Sequence, residues 1–153
     1  MSSNSIFIKN LKKIGIEFFT GVPDSVLKNL TDEIPKNENH IITANEGSSI
    51  ALAAGYYLSK KRLGCVYFQN SGLGNAINPL ASITHKKVYS IPLLLLIGWR
   101  GYPRSNDEPQ HLVKGLITKN ILKLLNIKYL IINKKTKFSQ INKIISYSKK
   151  KKI

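Results

Sequence analysis

Cysteine is almost missing from this sequence. Cys65 is the one thiol among 153 residues and sits in an apolar run, which excludes an intrachain disulfide and makes a buried, reduced thiol the expected state. Long hydrophobic runs are missing too. The longest, Ile91-Pro92-Leu93-Leu94-Leu95-Leu96-Ile97, is far shorter than the roughly 20 apolar residues a membrane-spanning helix needs. The first residues, Met1-Ser2-Ser3-Asn4-Ser5-Ile6, lack the basic start, apolar centre and small-residue cleavage pattern of an export signal, so a cytoplasmic protein is expected. Acidic residues are scarce, 8 against 24 Lys and Arg, for a formal charge of +16. Such an excess invites a nucleic-acid reading, because cations gain affinity by releasing counterions from phosphates. The distribution argues against it. Eight of the 24 cations follow Ile132 while all eight acids precede it, so the body is only moderately basic and nucleic acid is not an expected partner.

What is present reads as one domain of alternating strands and helices. Short aliphatic or aromatic runs at 16–19, 41–44, 65–69, 93–98 and 128–132 fit strands buried on both faces of a parallel sheet. Helical periodicity fills the gaps at 5–13, 25–33, 47–60, 75–84 and 111–125, with Asp24 as the cap of the second. The expected fold is α/β, an open, doubly wound, mostly parallel sheet of about five to six strands flanked by helices. Residues 1–132 form the domain and 133–153 a Lys-rich tail, in which Ile141, Ile144 and Ile145 mark one face of a possible last helix.

In open α/β sheets ligands bind beyond the carboxyl ends of the strands, where helix N-termini converge. Unusual residues fall at those ends in four successive loops: Thr20-Gly21-Val22-Pro23-Asp24, Asn45-Glu46-Gly47, Asn70-Ser71-Gly72-Leu73-Gly74-Asn75, and Trp99-Arg100-Gly101-Tyr102-Pro103-Arg104. Four loops on one edge define a single candidate site. Alone, each signal has a plain structural alternative. Glu46 stands where an acid would suit a helix start. Gly72-Leu73-Gly74 fits a phosphate cradle or an ordinary tight turn, and no P-loop Lys follows it. Arg100, Arg104 and His111, with Asp107 and Glu108 between them, fit anion capture or solvated loop charge. His40 and His85 lack a second ligand at metal spacing, no catalytic triad is visible, and no metal ligand is assigned.

Together the motifs are more specific. Gly21-Val22-Pro23-Asp24-Ser25, Ala44-Asn45-Glu46-Gly47, Gln69-Asn70-Ser71-Gly72-Leu73-Gly74-Asn75, Leu96-Ile97-Gly98-Trp99-Arg100-Gly101 and Asp107-Glu108-Pro109-Gln110-His111 keep their order and spacing over residues 5–132. They resemble the N-terminal, pyrimidine-binding (Pyr) domain of thiamine-diphosphate-dependent decarboxylases, phosphonopyruvate decarboxylase above all, and the sulfopyruvate decarboxylase α subunit. The resemblance implies that Glu46 hydrogen-bonds N1′ of the cofactor's aminopyrimidine and so activates it for decarboxylation of a 2-oxo acid. It also implies that Gly21, Val22, Pro23, Asn70, Ser71 and Gly72 contact the cofactor side. Asp24 borders the substrate; Arg100 and His111 are assigned to its phosphonate or sulfonate from charge alone.

The same resemblance makes one absence informative. Family members hold the diphosphate through Mg²⁺ with a second domain that carries a Gly-Asp-Gly segment, and no such segment occurs here. Two explanations stay open: a separate diphosphate-binding (PP-domain) subunit that ligates the Mg²⁺, leaving this chain inactive alone, or a truncated, non-catalytic remnant. The first predicts that the face around Glu46, Leu73 and Trp99 is apolar, exposed and covered by another chain.

Overall fold

The computed structural model describes residues 2–103 and 106–151. Strands β1 (Phe18–Gly21), β2 (His40–Ile42), β3 (Gly64–Gln69) and β4 (Leu94–Gly98) form one all-parallel sheet in the order β2-β1-β3-β4. Helices α1 (Ser3–Lys13), α2 (Lys28–Thr31), α3 (Glu46–Lys60), α4 (Leu73–Pro79), α5 (Pro109–Leu124) and α6 (Phe138–Lys151) flank it. A 3-10 turn over Asn70–Gly72 leads into α4, and a π turn over Leu80–Thr84 leaves it.

Alternation along the strands divides the core in two. Phe19, Cys65, Tyr67 and Leu96 point to one face and pack with Ile8 and Leu11 of α1 and Ile141 and Ile145 of α6. Phe18, Val66 and Phe68 point to the other and pack with Ile50 and Ala53 of α3, Leu73 and Ala76 of α4, and Leu122 of α5. Each such side chain stabilises the fold by about 1.5–3 kcal/mol through burial. Strands covered on both faces need apolar residues at every position, which is why they read as continuous runs. Cys65 is fully buried, and burial pushes its thiol well up.

Side chains cap the starts of α1 (Ser2) and α3 (Asn45), whereas α2, α4 and α5 have no side-chain cap. Asn45 Oδ1 accepts from Ser48 N at 2.9 Å to cap α3, and Asp24 Oδ1 accepts from Val26 N (2.7 Å) and Leu27 N (3.0 Å). Lys149 Nζ donates to Ile14 O at 2.7 Å, tying α6 to the end of α1. Ile141 and Ile145 are buried and Ile144 packs beside them, so the Lys-rich segment does form a helix with the expected apolar face.

The sheet has fewer strands than the five to six expected: residues 128–132 form no ladder, and Tyr129, Leu130, Ile131 and Ile132 are exposed. Ile127 packs with the α3–α5 cluster and Phe138 with the α1–α6 cluster, so this stretch carries the chain from one face of the sheet to the other. Its β-branched composition mimics a strand, but its place between α5 and α6 decides its path. The helix expected over 25–33 shrinks to Lys28–Thr31 because Asp24 first closes a turn. Among the described residues no helix is long and apolar enough to cross a membrane.

Candidate active site

Strand order reverses at β1, which has β2 on one side and β3 on the other, and in this class of sheet the crevice at such a reversal is where ligands sit. The loops after β1 and β3 therefore flank it. Gly21 ends β1 pressed on β3: a Cβ there would overlap the Tyr67 carbonyl and ring, and Val22 N donates to Tyr67 O at 3.1 Å. Val22 is half-buried and Pro23 exposed beside the crevice. Asp24 packs on Gly98 at the end of β4, and its second oxygen, Oδ2, is buried without a hydrogen-bond partner among the described residues.

Glu46 opens α3 but does not cap it, since Asn45 does that. Instead its carboxylate turns toward the β3–α4 turn and is only 9% exposed. Asn75 Nδ2 donates to Oε2 at 2.8 Å, while Oε1 lies against Gly72, where an added Cβ would overlap the carboxyl group. An acid retained only for the helix dipole would sit in water; this one is held between two elements. The Gly72-Leu73-Gly74 turn is thus wrapped around a carboxylate, which repels a phosphate and disfavours the cradle reading.

Asn70 and Ser71 occupy the same 3-10 turn. Asn70 is buried, 3% exposed, and its carboxamide is committed within the fold: Nδ2 donates to Arg100 O (2.9 Å) and Thr118 Oγ1 (3.0 Å), and Oδ1 accepts from Arg100 N (3.0 Å). Asn70 therefore joins the ends of β3 and β4 to α5 and has no donor left for a ligand. Ser71 Oγ donates to Gln69 Oε1 at 2.7 Å.

Arg100 is also committed. Its Nε donates to both Asp107 oxygens at 3.0 Å, Nη2 donates to Oδ1, and Nη1 donates to Ser25 Oγ at 3.3 Å. The guanidinium, then the Gly101 N–H at 2.6 Å, hold the Asp107 carboxyl well below the usual carboxylate range. Positive charge offered to an anion is correspondingly smaller than the sequence suggested. Gly101 (φ 64°) and Gly115 allow this loop to lie directly on α5, since a Cβ on either would overlap the other segment's backbone. His111, in the first turn of α5, has a buried Nδ1 with no partner among the described residues. Arg104 lies outside the described residues. His40 Nε2 meets Tyr67 OH at 2.8 Å away from these loops, a structural pairing.

The structure thus gathers Glu46, Gly72 and Asn75 into one cluster, joined through the 70–72 turn to Arg100 and Thr118. Asn75 and Thr118 had no role in the sequence reading. Thr118 could have been noticed as a polar residue in line with Gly115 and Leu122 on the buried stripe of α5. The expected apolar surface around Leu73 is not there: Leu73 is buried, and Trp99 donates Nε1 to Gly115 O at 3.1 Å. Exposed apolar side chains are spread over the surface, among them Val113 (65% exposed), Leu116 (63%) and Leu124 (81%) on α5, Ile42, Tyr89, residues 129–132, and Tyr102 edge-on to Trp99.

The sequence profile described as "Thiamine pyrophosphate enzyme, N-terminal TPP binding domain" matches residues 1–123. This chain belongs to that family. As a TPP binding domain it is 37% identical over 127 residues to a phosphonopyruvate decarboxylase of Streptomyces viridochromogenes, covering 82% of this chain and 31% of that protein. It is 33% identical over 131 residues to a sulfopyruvate decarboxylase subunit alpha of Methanococcus maripaludis, covering 84% of this chain and 76% of that protein. The domain thus spans about a third of the first relative's length. Among solved structures, benzoylformate decarboxylase from Polynucleobacter necessarius superposes with a TM-score of 0.56 at 25% identity, over 65% of this chain and 19% of that one.

Proposed function

We propose that this chain is the pyrimidine-binding half of a thiamine-diphosphate-dependent 2-oxo acid decarboxylase, converting phosphonopyruvate to phosphonoacetaldehyde and CO₂ in the cytoplasm. Sulfopyruvate is the alternative substrate, favoured by the 76% of the sulfopyruvate subunit alpha that this chain covers. The observation that carries the proposal is the Glu46 carboxylate, buried at a helix start that Asn45 already caps, with Oε2 held by Asn75 and Oε1 resting against Gly72.

Those residues fit the cofactor's pyrimidine end. Bound thiamine diphosphate supplies the electron sink that lets a 2-oxo acid lose CO₂. Glu46 holds and moves a proton at N1′ of the aminopyrimidine, a charge-assisted contact made stronger by exclusion of water. Gly21, Val22, Pro23, Ser71 and Gly72 line the same crevice, and Asn70 acts by holding the Arg100 backbone in place. Three buried side-chain atoms lack a partner among the described residues, Thr20 Oγ1, Asp24 Oδ2 and His111 Nδ1; of these His111 Nδ1 can donate to the anionic substrate, while Asp24, an acceptor, borders it. Arg100 keeps one N–H on each of Nη1 and Nη2 for the substrate's anionic end.

No group of three or more His, Cys, Asp or Glu among the described residues could hold a metal ion. We assign Mg²⁺ and the diphosphate to a partner subunit, a reading supported by the relative named as a subunit alpha and by the exposed apolar face of α5. The test is co-expression with a Gly-Asp-Gly-containing chain encoded nearby, followed by CO₂ release assays with both substrates. Turnover requiring both chains, thiamine diphosphate and Mg²⁺ is expected. Turnover by this chain alone, or none from an intact complex saturated with cofactor, contradicts the proposal.

A further inference from the structure

Glu46 is oriented by a residue that neither its motif nor its relatives' names point to. The first turns of α3 and α4 approach closely, a Cβ on Gly47 lying 3.2 Å from the Asn75 carbonyl oxygen, and this brings the Asn75 carboxamide onto Glu46. The 2.8 Å bond from Nδ2 to Oε2 is not a helix cap, for α4 has no side-chain capping bond. A terminal carboxylate torsion is soft, with broad, roughly two-fold preferences. Here it is held on both sides: Asn75 takes Oε2, and Oε1 rests in the space that Gly72 leaves by having no side chain. The donor is neutral. A Lys or Arg in its place would form an ion pair and draw off the charge that Glu46 needs, whereas an amide gives direction without a competing cation.

We propose that Asn75 is a positioning residue that holds Glu46 with Oε1 presented to the aminopyrimidine, an inference that rests on the role of Glu46 given above. The alternative is a purely structural clasp between α3 and α4. Asn75→Asp separates the two, because it is nearly isosteric. Ionised, it sets a second carboxylate against Glu46; protonated, it restores a donor to Oε2.

Two measurements decide. In the full chain without cofactor, the Asn75 side-chain ¹⁵N–¹H resonances should stand apart from those of solvent-exposed asparagines and move toward them in Glu46→Gln. In the reconstituted complex, kcat of Asn75→Asp relative to wild type at the same pH should fall on the order of tenfold or more at neutral pH and recover as pH drops. Cofactor affinity should change far less, and Asn75→Ala should lose kcat at every pH. Ordinary solvent-exposed asparagine resonances in the wild-type chain overturn the proposal. So does an Asn75→Asp kcat equal to wild type at all pH values while Glu46→Gln is crippled; the Glu46 assignment then survives. If Glu46→Gln itself keeps full turnover, the Glu46 assignment fails first and the role of Asn75 falls with it.

Discussion

Gly72 carries no side chain because the Glu46 carboxylate occupies that space. Gly72→Ala should therefore overpack the turn and cost about 1–3 kcal/mol of stability, read from urea unfolding. The cost belongs to a pair, so Glu46→Ala in the Gly72→Ala background should restore much of it, a coupling that a double-mutant cycle measures directly. Additive effects would mean that the two residues do not meet. At this scale the sequence exposed Glu46, through its place between a strand and a helix, but not what it touches. The Asn75 contact depends on where two helix starts, 29 positions apart in the chain, come together in space. Nor could the sequence say that Asn70 and Arg100 spend donors inside the fold, since both residue types suit ligand binding equally well.

Among the elements, the β4–α5 connection matters most to the site, and Asp107 organises it by accepting from Arg100, Gly101 N and Glu108 N. A carboxyl group held below its ordinary value in the native state contributes stability that is complete above the unfolded carboxylate range, near pH 4. That contribution is lost as pH falls further, toward the native value. The difference in denaturation midpoint between wild type and Asp107→Asn should accordingly be constant from about pH 8 to pH 5 and shrink below about pH 4. A difference independent of pH would show that the carboxylate charge is not what pins the loop. Whereas the edge strand β2 leaves Ile41 and Ile42 exposed, β3 was legible because burial on both faces leaves apolar side chains at successive positions, as at Cys65 to Phe68. Residues 128–132 misled for the same reason: apolar composition marks a strand only where a neighbouring edge accepts it. Asp24 was expected to cap the second helix, but it closes a turn through Val26 N and Leu27 N instead, and α2 starts after Leu27 with no side-chain cap.

As a whole molecule, the domain places four of its eight acids, Asp24, Glu46, Asp107 and Glu108, in the loops and helix starts that follow the strands, while Glu17, Asp32, Glu33 and Glu38 lie ahead of β1 and β2. The family match covers 1–123, and α6 lies beyond it while adding Ile141 and Ile145 to the core. Val113, Leu116 and Leu124 on α5 are left uncovered, as a surface that joins another chain would be. The central claim is that this domain contributes Glu46 to a cofactor site completed by that other chain. It is tested most directly by hydrogen–deuterium exchange at the cofactor's C2 in the assembled complex, wild type against Glu46→Gln. The amide is nearly isosteric, so assembly and cofactor occupancy should persist, while exchange and turnover should fall together on the order of a hundredfold or more. Exchange and turnover both near wild type, with the complex intact and the cofactor bound, would make Glu46 a helix-start residue and contradict the account.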